Sequence, residues 1–128
     1  MRQAGANLTA LLARVFLAAM FLWAGVDKAL SPVAAKAALA KSGVTAIHLI
    51  HAVGLGVEIG AGLMLLLGWK TRFAAVLLAG WSVLIGTLLY FQPANQAVFS
   101  RFLAHLAVTG GLMLVCLHGA GRFSLDRR

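Results

Sequence analysis

The chain has 128 residues, of which 62% are hydrophobic and 11% charged, with three acids set against eleven Lys and Arg. A soluble domain needs roughly a quarter of its residues charged, so a soluble fold is excluded, and so is a chain too polar to fold. A mean hydropathy of +0.94 makes lipid the expected solvent, and four spans of about 20 residues leave room for loops and tails but for no second domain.

The net charge of +8 does not indicate nucleic acid as a partner, because the basic residues are scattered between apolar runs instead of sharing one face. Cys116 is the only cysteine. It excludes an intrachain disulfide or a cysteine-rich metal site and reads as a small packing residue.

The first apolar stretch runs from about 8 to 30, interrupted by Arg14 near its start and by Asp27 and Lys28 near its end. It is longer than the apolar core of a signal peptide and is read as a retained first span. Ser31 and Pro32 then offer an N-cap and a first-turn proline for a short helix through the Ala-rich segment to Ser42 and Gly43. Lys36 and Lys41 make it too polar to span, so it is expected to lie among headgroups in the first outer loop.

The second span reads from about 46 to 68, followed by a turn with Trp69, Lys70, Thr71 and Arg72. The third runs from about 73 to 91, with Tyr90 at the interface and Pro93 ending the helix, and the fourth from about 98 to 119. The expected architecture is all-α, an integral membrane four-helix bundle forming one domain over residues 1–128. Arg2, Arg14, Lys70, Arg72, Arg122, Arg127 and Arg128 would lie on the side of the termini, and Lys28, Lys36, Lys41 and Arg101 on the other. The excess of basic residues places both termini in the cytoplasm.

Ionisable residues at membrane depth carry most of the functional information, because a charge there needs a partner or water. Glu58 lies midway along the second span, beyond easy reach of either end. On a helical wheel His51 is about 20° from it, with Gly54 and Gly62 on the same side, while Gly56 and Gly60 form a GxxxG surface opposite. Glu58 is the candidate proton acceptor or donor. Arg14 is its candidate counter-charge, on a stripe that continues through Ala18, Phe21 and Gly25.

His51 and His105 are expected at one level near the outer face, with His48 a turn above His51 and Arg101, His105, Thr109 and Cys116 sharing a stripe on the fourth span. Neutral imidazoles can bind metal, relay protons or hydrogen-bond a quinone carbonyl. His105 and His118 are about 140° apart on one helix, which disfavours a stacked two-haem site, and the ligands for a structural zinc do not converge. No metal is therefore expected, and His51 and His105 are the candidate quinone contacts.

The runs LLARVFLAAMFLWAGVDKAL, GAGLMLLLGWKTRFAAVLLAG after Glu58, and FLAHLAVTGGLMLVCLHGAGRFSLD together resemble the DoxX family of small four-helix bacterial membrane proteins. The resemblance extends from Leu11 to Asp126 and carries over Arg14, Gly25, Lys28, Glu58, Gly68, Thr71 and Arg72 as recurrent positions. Ala104 and His105 stand where the family often has a Lys-Asn pair. It implies an inner-membrane protein associated with quinone-linked redox or oxidative-stress systems.

The leading expectation is a membrane component of such a system, holding a quinone or anchoring an oxidoreductase partner subunit, because the chain offers no electron carrier of its own. The alternatives are a small transporter that forms a homo-oligomer through the GxxxG face and couples through Glu58, and a non-catalytic membrane scaffold. A reporter active only in the cytoplasm is expected to give full signal when fused after Arg128, and one active only after export to give none. The reverse pattern would overturn the orientation.

Overall fold

The computed structural model describes residues 2–41, 43 and 45–126. Among the described residues five helices follow one another: α1 (Arg2–Leu30), α2 (Pro32–Lys41), α3 (Ile47–Leu67), α4 (Thr71–Tyr90) and α5 (Gln96–His118). All except α2 are long and apolar enough to cross a bilayer. The spans match the sequence reading to within two residues, except that α1 begins at Arg2. Ala4 and Ala6 sustain helix through the polar start.

Local chemistry sets the breaks. Pro32 occupies the first position of α2, where its missing N–H costs nothing. Of the expected stop at Ser42 and Gly43, Ser42 lies outside the described residues, and Gly43 has φ +79°. At the end of α3 the Gly68 and Trp69 amides bond back to the Leu65 and Met64 carbonyls at 3.2 and 2.9 Å. Gly68 at φ +73° makes this a Schellman closure. Asn95 caps α5 by accepting from the Val98 amide at 3.3 Å.

α3 is not a continuous α-helix, because Gly56–Ala61 form a π turn around Glu58. The wider turn lets the adjacent residues Ala61 and Gly62 both face inward. Gly56 and Gly60 are exposed, and a Cβ at either would meet nothing within 4 Å, so among the described residues no helix packs on the GxxxG surface.

The packed core lies in the half of the bundle nearest the termini. It comprises Ala18 and Phe21 of α1, Ala61 and Leu65 of α3, Ala74, Ala75 and Leu78 of α4, and Leu112 and Val115 of α5. Small residues on α4 let it lie closely against α5, and these two helices form the most extensive pair in the bundle.

The polar end of the core is organised by Arg14, which is completely buried. Its guanidinium donates to the Leu65 and Leu66 carbonyls at 3.1 and 2.9 Å, to Ala120 at 3.1 Å and to Phe123 at 2.5 Å. The last carbonyls of a helix have no intrahelical donor and form the negative end of its dipole, so a planar fork of N–H groups suits them.

The chain after α5 folds back beneath the bundle as a result. The Leu125 and Asp126 amides donate to Leu67 and Gly68 at 3.1 and 2.8 Å, and the Arg122 amide to Asn7 Oδ1 at 3.2 Å. Asp126 in turn accepts from the Lys70 and Thr71 amides at 2.8 and 2.9 Å and from Thr71 Oγ1 at 2.6 Å.

Arg14→Leu fills similar volume but leaves four carbonyls without their charged donor, and is expected to destabilise the protein by about 3 kcal/mol or more in detergent. Trypsin should then cut after Arg122 at a protein-to-enzyme ratio that leaves the parent intact. An unchanged melting profile and cleavage pattern would show that the tail is held by other contacts.

Candidate functional site

α1 and α3 approach closely where Gly25 meets the π turn. A Cβ on Gly25 would lie 2.6 Å from Ile59 Cγ1 and 3.3 Å from Glu58 Cβ. Gly54 plays the same part toward α4, since a Cβ there would lie 2.6 Å from Cζ2 of Trp81. The two glycines bring α1 and the Trp81 indole against one carboxylate.

Glu58 is 3% exposed. Lys28 Nζ donates to its Oε1 at 2.5 Å and Trp81 Nε1 donates to the same oxygen at 2.9 Å. The ammonium also lies 5.9 Å from the Trp81 ring centroid, a cation-π distance. Oε2 is buried without a hydrogen-bond partner, which leaves half of the carboxylate's accepting capacity unused.

Above this triad, toward α2, a cavity of about 230 Å³ opens between α1, α2, α3 and α4. Lys28 and Trp81 form part of its wall and link it to Glu58, while Asp27, His51, Tyr90 and α2 complete it. The imidazole of His51 is buried, and its Nδ1 has no hydrogen-bond partner. α2 is therefore more than a headgroup helix: its Leu39 is buried, and Ala34, Ala35 and Ala38 close one side of the cavity.

The expected pairing of Arg14 with Glu58 is not formed. Glu58 is met by Lys28, and Arg14 lies eleven residues before Gly25, about 16 Å along α1. Two physical facts separate them. Two carbonyls ending α3 and two in the segment after α5 occupy the guanidinium, and the flexible Lys28 stem reaches Glu58 from the opposite end of α1. The Arg14, Ala18, Phe21, Gly25 stripe extends at the same helical spacing to Lys28, so the sequence carried this signal.

His51 and His105 occupy different places. His105 is absent from the cavity wall and stacks on Tyr90, with ring centroids 5.2 Å apart and planes 14° apart. A Cβ on Gly86 would lie 3.0 Å from His105 Cβ, so Gly86 provides the space for this imidazole. Ser82 Oγ donates to the His105 carbonyl at 3.2 Å and lies 3.4 Å from Nδ1. Arg101 lies over the other partner of this stack, 5.9 Å from the Tyr90 centroid, while His48 is exposed. No cluster of three or more metal-ligating side chains occurs among the described residues.

Trp81 and the π turn are the parts of the site that sequence reasoning missed. Trp81 falls on the buried α4 stripe with Ala74, Leu78 and Ile85, and such a stripe does not distinguish a packing indole from one that donates to a carboxylate.

The DoxX family model matches residues 9–93, the stretch that holds Arg14, Gly25, Lys28, Gly54, Glu58 and Trp81. The chain belongs to the DoxX family. The matched stretch runs from within α1 through α4 and stops short of α5. Inner membrane protein YqjF of Escherichia coli (strain K12) is 30% identical over 117 residues, which cover 91% of this chain and 88% of that protein. No solved structure matches. This DoxX chain is thus an integral membrane protein whose most buried carboxylate is answered by Lys28 and Trp81.

Because each member of that ion pair is left uncompensated when the other is removed, Lys28→Met alone is expected to cost about 3–5 kcal/mol. Lys28→Met with Glu58→Gln should recover most of the loss. An Arg14 and Glu58 cycle should be additive to within about 0.5 kcal/mol. Thermal unfolding in detergent measures both cycles, and coupling between Arg14 and Glu58 in place of Lys28 and Glu58 would reverse the assignment.

Proposed function

We propose that this DoxX chain is a membrane component of a quinone-linked redox system and that its cavity holds a quinone headgroup. The observation that carries this reading is the buried, unpartnered Nδ1 of His51 in a cavity walled by the Trp81 and Tyr90 rings. A flat ring with carbonyl oxygens suits aromatic walls and a few polar groups that fix orientation. At about 230 Å³ the cavity is below the roughly 300–1,000 Å³ of sites that enclose a whole drug-sized ligand, which favours a headgroup whose tail remains in lipid.

A bound quinone would supply electron and proton carriage. The chain supplies positioning and a proton site: His51 is the direct polar contact, Tyr90 is held flat by the His105 stack, and Glu58 Oε2 is the proton acceptor or donor behind Lys28. The electrons require an oxidoreductase partner subunit, since the chain has no electron carrier of its own. The printed name of the E. coli relative supports a place in the inner membrane, and the excess of Lys and Arg on the side of the termini supports cytoplasmic termini.

A short-tailed benzoquinone titrated into the protein in nanodiscs is expected to quench tryptophan fluorescence saturably. Trp81→Phe should remove most of the quenching. His51→Ala should weaken binding up to about tenfold, the worth of one hydrogen bond. Absence of saturable quenching, or unchanged affinity in His51→Ala, would overturn the reading. Solute uptake into proteoliposomes that disappears in Glu58→Gln would replace it with transport.

A further inference from the structure

A second concavity lies on the other side of α4, in the half of the bundle that holds the termini. It is a groove of about 750 Å³ between α4 and α5, floored by Ala75 and Leu112 and flanked by Ala79, Gly80, Met113 and Cys116. Arg72 stands at its mouth. The side chain is exposed, beside Gly119 where α5 ends, and has no hydrogen-bond or ion-pair partner among the described residues. Asp126, the nearby acid, is engaged by the Lys70 and Thr71 amides and the Thr71 hydroxyl.

We infer that this groove is a binding site for one anionic phospholipid, with an acyl chain lying between α4 and α5 and the phosphate on Arg72. Length decides between a lipid and a helix from a second copy. From Arg72 to Val83 the groove follows eleven residues of α4, about 16 Å of rise. That is one leaflet of a hydrocarbon core roughly 30 Å thick, whereas a partner helix would need a surface running its full depth.

The chemistry agrees with the length. The walls are aliphatic and the small side chains of Ala75, Ala79 and Gly80 make the recess, while the one cation stands where the headgroup layer begins. Lys70 and the exposed Arg122 add positive charge at the same end, which favours an anionic over a zwitterionic headgroup.

The test is native mass spectrometry of the full chain released from nanodiscs that contain equal phosphatidylglycerol and phosphatidylcholine. The parent protein is expected to retain one phosphatidylglycerol in preference. Arg72→Gln should weaken that retention about fivefold, the equivalent of about 1 kcal/mol for one basic contact. Arg72→Lys should keep the preference, and Ala79→Phe, which fills the recess, should lower retention of both lipids while circular dichroism confirms the helices.

Equal retention in Arg72→Gln and the parent would overturn the site. So would displacement of the lipid by millimolar inorganic phosphate, which would identify a free anion as the ligand. Disulfide cross-links between copies carrying Gly80→Cys would show a protein interface in its place.

Discussion

The arrangement of this bundle depends on one constraint, the burial of the Glu58 carboxylate far from water. A carboxylate in hydrocarbon must be matched by donors, and in a helix every interior backbone N–H is already used. The donors must therefore be side chains from other helices, which is why α1 and α4 converge on α3 at this level. Gly25 and Gly54 are consequences of that convergence, because any Cβ at either position would occupy the space of Ile59 or Trp81. The π turn at Gly56–Ala61 belongs to the same solution, since it presents Glu58 inward and still keeps Ala61 and Leu65 in the core.

A consequence is that the two halves of the bundle differ in kind. Near the termini, aliphatic packing is dense and Arg14 ties α1, α3 and the C-terminal segment through four backbone carbonyls. Toward α2 the residues facing inward are larger and more polar, namely Lys28, His51, Trp81 and Tyr90, and they leave a cavity between them. The rigid half provides a fixed base, and the looser half holds the unmatched polar atoms. Unmatched buried polar atoms cost stability, and sites that bind a ligand are where such a cost has a compensating use.

The fold was legible because hydropathy and interface residues are one-dimensional signals. Trp69 with Lys70, the Ser31-Pro32 pair and Pro93 marked the breaks between spans nearly where they occur. The choice of partner for Glu58 was not legible by depth, because counting helical rise from one membrane face compares heights but not the acceptors available on the way. Arg14 meets the carbonyls at the end of α3 before it can reach Glu58, and only the continuation of its stripe to Lys28 foretold the actual pair. The contact of His105 was not legible for a different reason: Tyr90, a side chain of another helix, lines the cavity and stacks on His105, and no spacing within α3 or α5 reveals it.

The imbalance between three acids and eleven basic residues follows from an asymmetry of the membrane itself. A basic side chain near the bilayer can be satisfied by helix C-terminal carbonyls, as Arg14 is, or by lipid phosphates. An acidic side chain has fewer options, the free amides at a helix start being its one counterpart, because headgroup phosphates repel it and interior amides are bonded. Asp126 uses the free amides that begin α4, and Glu58 requires both a lysine and an indole. Each further acid at depth would demand another such set of donors and another pair of close helix approaches. A bundle of four spans has few helix faces from which to supply them, so one deep acid is what this architecture accommodates at the cost of an open cavity beside it.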